Sequence, residues 1–126
     1  MARKAVYWVS TGLLAALSAF AAFVYLSGSQ EAVTGFTHVG YPQQLRVMLG
    51  IAKLAGGIAL VAPGFPKLKE WAYAGFMYTW IAAFVAHYLA GDGPTSFTPL
   101  ALLVVLGISY ITRPASRRWQ ARPAVA

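Results

Sequence analysis

Four residues of one apolar stretch, Arg46, Gly50, Lys53 and Gly57, are spaced four, three and four apart. On a helix that spacing puts them on one face. An ammonium within an apolar helix is costly, so such charges turn toward a helix-bundle interior and mark ligand or proton sites. Glycines on the same face let a neighbouring helix come close. Lys53 therefore requires an anion or a hydrogen-bond acceptor. Arg46 reads as a second anion ligand or as a snorkelling interfacial residue, the latter favoured.

Other polar residues share this periodicity. Thr11, Ser18 and Tyr25 recur at intervals of seven, and Tyr73, Met77, Trp80, Phe84 and His87 follow spacings of four, three, four and three. Depth follows from the helical rise of about 1.5 Å per residue. Lys53 comes out roughly 14 Å below the outer end of its helix, level with Ser18, Trp80 and Gly107. Tyr25, Arg46 and His87 form a shallower layer. Glu70 lies about 8 Å along the axis from Lys53, and a Lys53–Glu70 pair is the expected neutralisation. A structural reading, two helices held in register by that pair, weighs about as much as a functional one. His87 suits proton transfer or a hydrogen bond to a loop. With only two histidines and no close carboxylate pair, no metal site is expected. His38 can join His87 only if its loop folds back. The absence of cysteine removes thiolate nucleophiles and thiol relays.

The elements that must carry these residues are apolar. The chain has 126 residues, 59% hydrophobic and only 10% charged, against about 25% charged in soluble domains. Four segments have membrane-helix character, at about 6–26, 44–62, 66–90 and 97–112. The first three suit a span of about 17–25 residues; the fourth is short and must thin the bilayer or extend into Arg113. The first is preceded by Arg3 and Lys4 and resembles a signal peptide, but its apolar run exceeds the usual h-region, so a retained span is expected.

Basic residues sort by side. Arg3, Lys4, Lys67, Lys69, Arg113, Arg117, Arg118 and Arg122 fall at one end of a four-helix zigzag, which places both termini in the cytoplasm. The net charge of +7 is thus a topology signal, and nucleic-acid binding is not expected. Tyr7, Trp8 and Trp71 suit an inner aromatic belt, with Tyr41 and Tyr88 outside. The outer loop 27–42 suits a short interfacial helix or a lid. Residues 113–126 form a basic cytoplasmic tail near the anionic leaflet.

Three stretches carry a family resemblance: Gly40-Tyr41-Pro42, the run GIAKLAGGIALVAPGFPKLKEWAYAGF, and AHYLAGDG. They resemble the DoxX-like family of small bacterial membrane proteins, over roughly Tyr7 to Tyr110. The resemblance implies an all-α, integral membrane four-helix bundle in the bacterial cytoplasmic (inner) membrane. Some wider relatives are associated with quinone-linked sulfur oxidation or membrane oxidoreductase complexes, and distant kin include a receptor-assembly chaperone. The stretch Ser27-Gly28-Ser29-Gln30 lacks a lysine that such proteins often carry there, so a site using it is not expected.

Three functions compete. The first is a site within the bundle for an amphipathic or quinone-like molecule, or a bound lipid, built from Lys53, Glu70, His87, Arg46, Trp80, Tyr25, Ser18 and Phe84. The protein would then be an accessory to a membrane redox complex, whose partner supplies the electrons. The second is a non-catalytic scaffold or assembly protein. The third, ranked last, is an oligomeric transporter or channel. The expected partners are the bilayer and either further copies of the chain or another membrane protein. No reaction is assigned.

Overall fold

A computed structural model describes residues 2–117, so Arg118 and Arg122 and most of the expected tail lie outside the described residues. Those residues form α1 (Ala2–Leu26), α2 (Gln30–His38), α3 (Gln43–Val61), α4 (Pro66–Leu89) and α5 (Thr98–Ile111). Short 3₁₀ turns occupy Gly93–Phe97 and Ala115–Arg117, and no strand is present among the described residues.

The chain breaks where its chemistry demands. Gly28 takes φ 69° after α1, and Ser29 then caps α2, its hydroxyl accepting from the Ala32 N–H at 3.2 Å. Pro42 precedes α3, and Pro66 occupies the first turn of α4. The fourth apolar segment gains length at the end opposite to Arg113. The 3₁₀ turn runs directly into α5, giving a continuous apolar helix from Gly93 to Ile111. With α1 and α3, this makes three helices long and apolar enough to cross a membrane. α4 is longer than α3 but interrupts its apolar residues with Lys67, Lys69 and Glu70 near its start and His87 near its end.

The long helices are neighbours in the order α1, α3, α4, α5, and α5 returns to α1. Leu14, Leu60, Tyr73, Phe76, Trp80 and Leu106 form the core. The exterior is apolar as well: Val9 is 72% exposed, Phe23 71% and Leu89 77%. An apolar exterior on this scale is a lipid-facing surface rather than a water-facing one.

The α1–α3 contact is the most intimate, and glycine is the reason. A Cβ on Gly50 would lie 2.9 Å from Leu26 Cγ and 3.2 Å from Tyr25 Cβ. One hydrogen-bonded chain crosses the core, from Thr11 of α1 to Ser109 of α5 (2.6 Å) and on to the Tyr73 hydroxyl of α4 (2.7 Å).

At the end of the bundle where α1 begins and α5 ends, Tyr7 is not the exposed belt anchor expected of it. Tyr7 is fully buried, and its hydroxyl accepts from Arg117 Nε at 2.7 Å. Arg117 also donates to the carbonyls of Leu60 and Ala62. Lys69, 1% exposed, donates to Ala62 and Gly64. These cations satisfy carbonyls that the C-terminus of α3 leaves without helical partners.

Candidate functional site

A cavity of about 530 Å³ opens between the helices. Leu17, Ser18, Ala21 and Tyr25 of α1 line one side, and Leu45, Leu49 and Lys53 of α3 line another. Trp80, Ala83, Ala86 and His87 of α4 and Leu102 of α5 complete the walls. Phe36, Val39 and Tyr41 belong to α2 and the turn after it, and they line the cavity too.

Lys53 reaches this space because its face of α3 is turned inward. Gly50, Lys53 and Gly57 are all buried, as their spacing predicts. The Lys53 ammonium stands over two rings, 5.5 Å from the Trp80 centroid and 5.9 Å from the Tyr25 centroid. Both ring faces attract a cation. Trp80 is held in turn by stacking on Phe76 at 5.1 Å. Phe76 sits against Gly56, where a Cβ would come within 2.8 Å of its ring. Ser18 is 2% exposed, and its hydroxyl has no hydrogen-bond partner among the described residues.

The expected pairing of Lys53 with Glu70 is not what forms. Glu70 Oε1 accepts from Arg113 at 2.9 Å, and Glu70 Oε2 accepts from the Tyr110 hydroxyl at 3.1 Å. The Arg113 guanidinium lies over the rings of Tyr110 and Tyr73. Axial distance alone suggested Lys53, but Glu70 projects toward α5 instead of α3. Glu70 and Gly107 border a separate groove between α4 and α5.

Arg46 is not brought to the cavity as an anion ligand. It donates to the Tyr25 carbonyl and, at 2.8 Å, to Gln43 Oε1. It thereby caps the end of α1 and holds Tyr25 at the cavity without lining the cavity itself. Phe84 does not line it either and packs against Tyr88 and Phe97. Met77 is exposed, so the expected inward stripe on α4 is interrupted. Ser18, Tyr25, Lys53, Trp80 and His87 are thus the expected residues that the structure brings together.

The loop after α1 does fold back over the opening. His38 Nε2 and His87 Nδ1 each lie 2.6 Å from an Asp92 carboxylate oxygen. A carboxylate only accepts, so both imidazoles donate. The His87 and then the His38 hydrogen bonds hold the Asp92 carboxyl below its ordinary range. Gln43 of α3 adds donations to Val33 O and Thr37 Oγ1 of α2. Asp92 was absent from the expected site, although its position in a tight turn five residues after His87 was a usable signal.

This architecture defines an all-α membrane protein with an interior cavity covered by a short helix. Residues 9–109 match the DoxX-like family, and the chain belongs to that family. No curated protein and no solved structure matches it.

Proposed function

We propose that this chain is a four-span inner-membrane protein, both termini cytoplasmic, that binds a small amphipathic or quinone-like molecule in the cavity beneath α2. The observation that carries the reading is the pair of donors within apolar walls: Lys53 and Ser18 face the cavity without a hydrogen-bond or ion-pair partner among the described residues. An apolar concavity with a few convergent polar groups is the ordinary form of a ligand site. The sorting of Arg3, Lys69, Arg113 and Arg117 to one end supports the orientation.

In this role the residues bind and position. Lys53 supplies a charge-assisted hydrogen bond, Ser18 a second polar contact, and Trp80 and Tyr25 flat apolar walls. α2 shields the bound molecule from water. The protein serves a membrane redox complex by holding a molecule that the partner oxidises or reduces.

Native mass spectrometry of the full chain released from nanodiscs tests the reading. A retained small amphiphile is expected, and Ala83→Phe, which fills the cavity, should release it while helicity is kept. A bare chain mass for both proteins would overturn it.

A second reading, a non-catalytic assembly protein, draws on the groove of about 380 Å³ between α4 and α5. Gly107 opens onto that groove, and a methyl group added there would meet no atom within 4 Å, which suits a partner helix.

A further inference from the structure

The charge arithmetic around Lys53 narrows the ligand. The chain contains three acidic residues. Glu70 is held by Arg113 and Tyr110. Asp92 is held by His38 and His87. Glu31 stands exposed in the first turn of α2. None of them neutralises Lys53, which is only 8% exposed. Two aromatic faces compensate part of its charge, but they accept none of its three N–H groups in a conventional hydrogen bond. A buried ammonium of this kind is costly until an anion pairs with it.

Lys53 also belongs to two spaces at once. A second cavity of about 370 Å³ runs along the seam of α3 and α4, and it shares Leu49, Lys53 and Thr79 with the first. Ala52, Gly56 and Gly75 keep this seam open. Its rim includes Trp71, 64% exposed, and Leu68, 44% exposed, on the lipid-facing surface. The ammonium therefore stands where an apolar groove from the bilayer meets the interior cavity.

We infer that the ligand is a single-chain amphiphile with a carboxylate head, seated on Lys53 and Ser18, with its alkyl tail in the α3–α4 groove. One positive charge matches one negative head, and one groove matches one chain. The molecule arrives sideways from the bilayer rather than through the opening that α2 covers. This rests on the ligand-binding reading above and adds the charge of the ligand and its route.

The test uses the full chain in phosphatidylcholine vesicles at mildly alkaline pH, with Trp8 and Trp119 replaced by Phe. Emission then comes from Trp71 at the groove and Trp80 at the cavity. The probes are a mid-chain brominated fatty acid and the fatty alcohol of the same chain, and the readout is saturable quenching displaced by unbrominated acid. A charge-assisted hydrogen bond predicts that the acid binds about tenfold tighter than the alcohol. Lys53→Met should remove that preference, Lys53→Arg should keep it, and circular dichroism should be unchanged in both. Equal binding of acid and alcohol, or a preference that survives Lys53→Met, would overturn the carboxylate inference while leaving ligand binding intact. No saturable quenching by either probe would overturn the ligand-binding reading as well.

Discussion

His38 and Asp92, 54 residues apart in sequence, meet at 2.6 Å and tie α2 to the turn that follows α4. The same carboxylate holds His87, so one acid joins the cover of the cavity to its wall. Because the Asp92 carboxyl titrates below its ordinary value of 3.8, its contribution to closure is fully present above pH 3.8 and is lost as pH falls through the depressed value. A neutral imidazole still donates one N–H, so alkaline conditions should not release α2. Spin labels at Thr34 and Tyr88 should report one short distance at pH 5 and at pH 8, and a longer, broader distribution only under stronger acid. Asp92→Asn should show the broad distribution already at neutral pH. A distance that is the same in all these samples would remove the latch.

Gly50 and Gly57 look equivalent in sequence, yet they should respond in opposite ways to alanine. At Gly50 the new methyl would collide with Leu26 and Tyr25, whereas at Gly57 the nearest atoms, Ala15 O and Ser18 Cβ, stand at 3.6 Å. Gly50→Ala should cost about 1–3 kcal/mol by overpacking. Gly57→Ala should be neutral or stabilising by up to about 1 kcal/mol, since glycine is a poor helix former. Unfolding in mixed micelles measures both, and equal effects would contradict the packing described for α1 and α3.

The inward face of α3 was legible because it follows from periodicity alone: a charge and two glycines at helical spacing can hardly face lipid. Ser18 and Trp80 were legible at the level of Lys53 for a related reason, since helical rise fixes depth. Rotation about the axis is what depth leaves out. Glu70 has a suitable depth for Lys53, but α4 turns it toward Arg113 of the segment after α5. Lys69 and Arg117 read as topology charges, and only the position of the α3 C-terminus shows that they satisfy its carbonyls. The fold-back of α2 depends on a contact between residues far apart in sequence, for which local spacing carries no signal.

Ser109 links Thr11 and Tyr73, so it is the residue whose loss breaks two buried hydrogen bonds at once. Inter-helix hydrogen bonds in membranes average about 0.6 kcal/mol each, and an unsatisfied buried group adds to that. Ser109→Ala should therefore lower stability by about 1–2 kcal/mol, more than Thr11→Val or Tyr73→Phe alone, each of which leaves one bond in place. The double variant Thr11→Val with Tyr73→Phe should approach the Ser109→Ala cost. Independent, additive losses for all three positions would show that the chain does not act as a unit.

Lys53 and Glu70 should separate cleanly in a comparison of stability with binding. Glu70→Gln weakens the charge on a contact that joins α4 to the segment after α5, beside an Arg113 only 5% exposed, and should cost about 1–3 kcal/mol. Ligand retention should be unaffected, because Glu70 is not at the cavity. Lys53→Met removes a charge that the fold does not neutralise, and a lysine at mid-membrane depth costs about 2.5–3.5 kcal/mol on insertion scales. The ligand-free variant should therefore be more stable than the ligand-free parent, and it should bind a carboxylate amphiphile about tenfold more weakly, no better than the matching alcohol. The gain should shrink or reverse when both proteins are measured with saturating ligand, since only the parent gains stability from occupancy. If Lys53→Met destabilises the ligand-free protein as strongly as Glu70→Gln, Lys53 is a structural residue and the site loses its central donor.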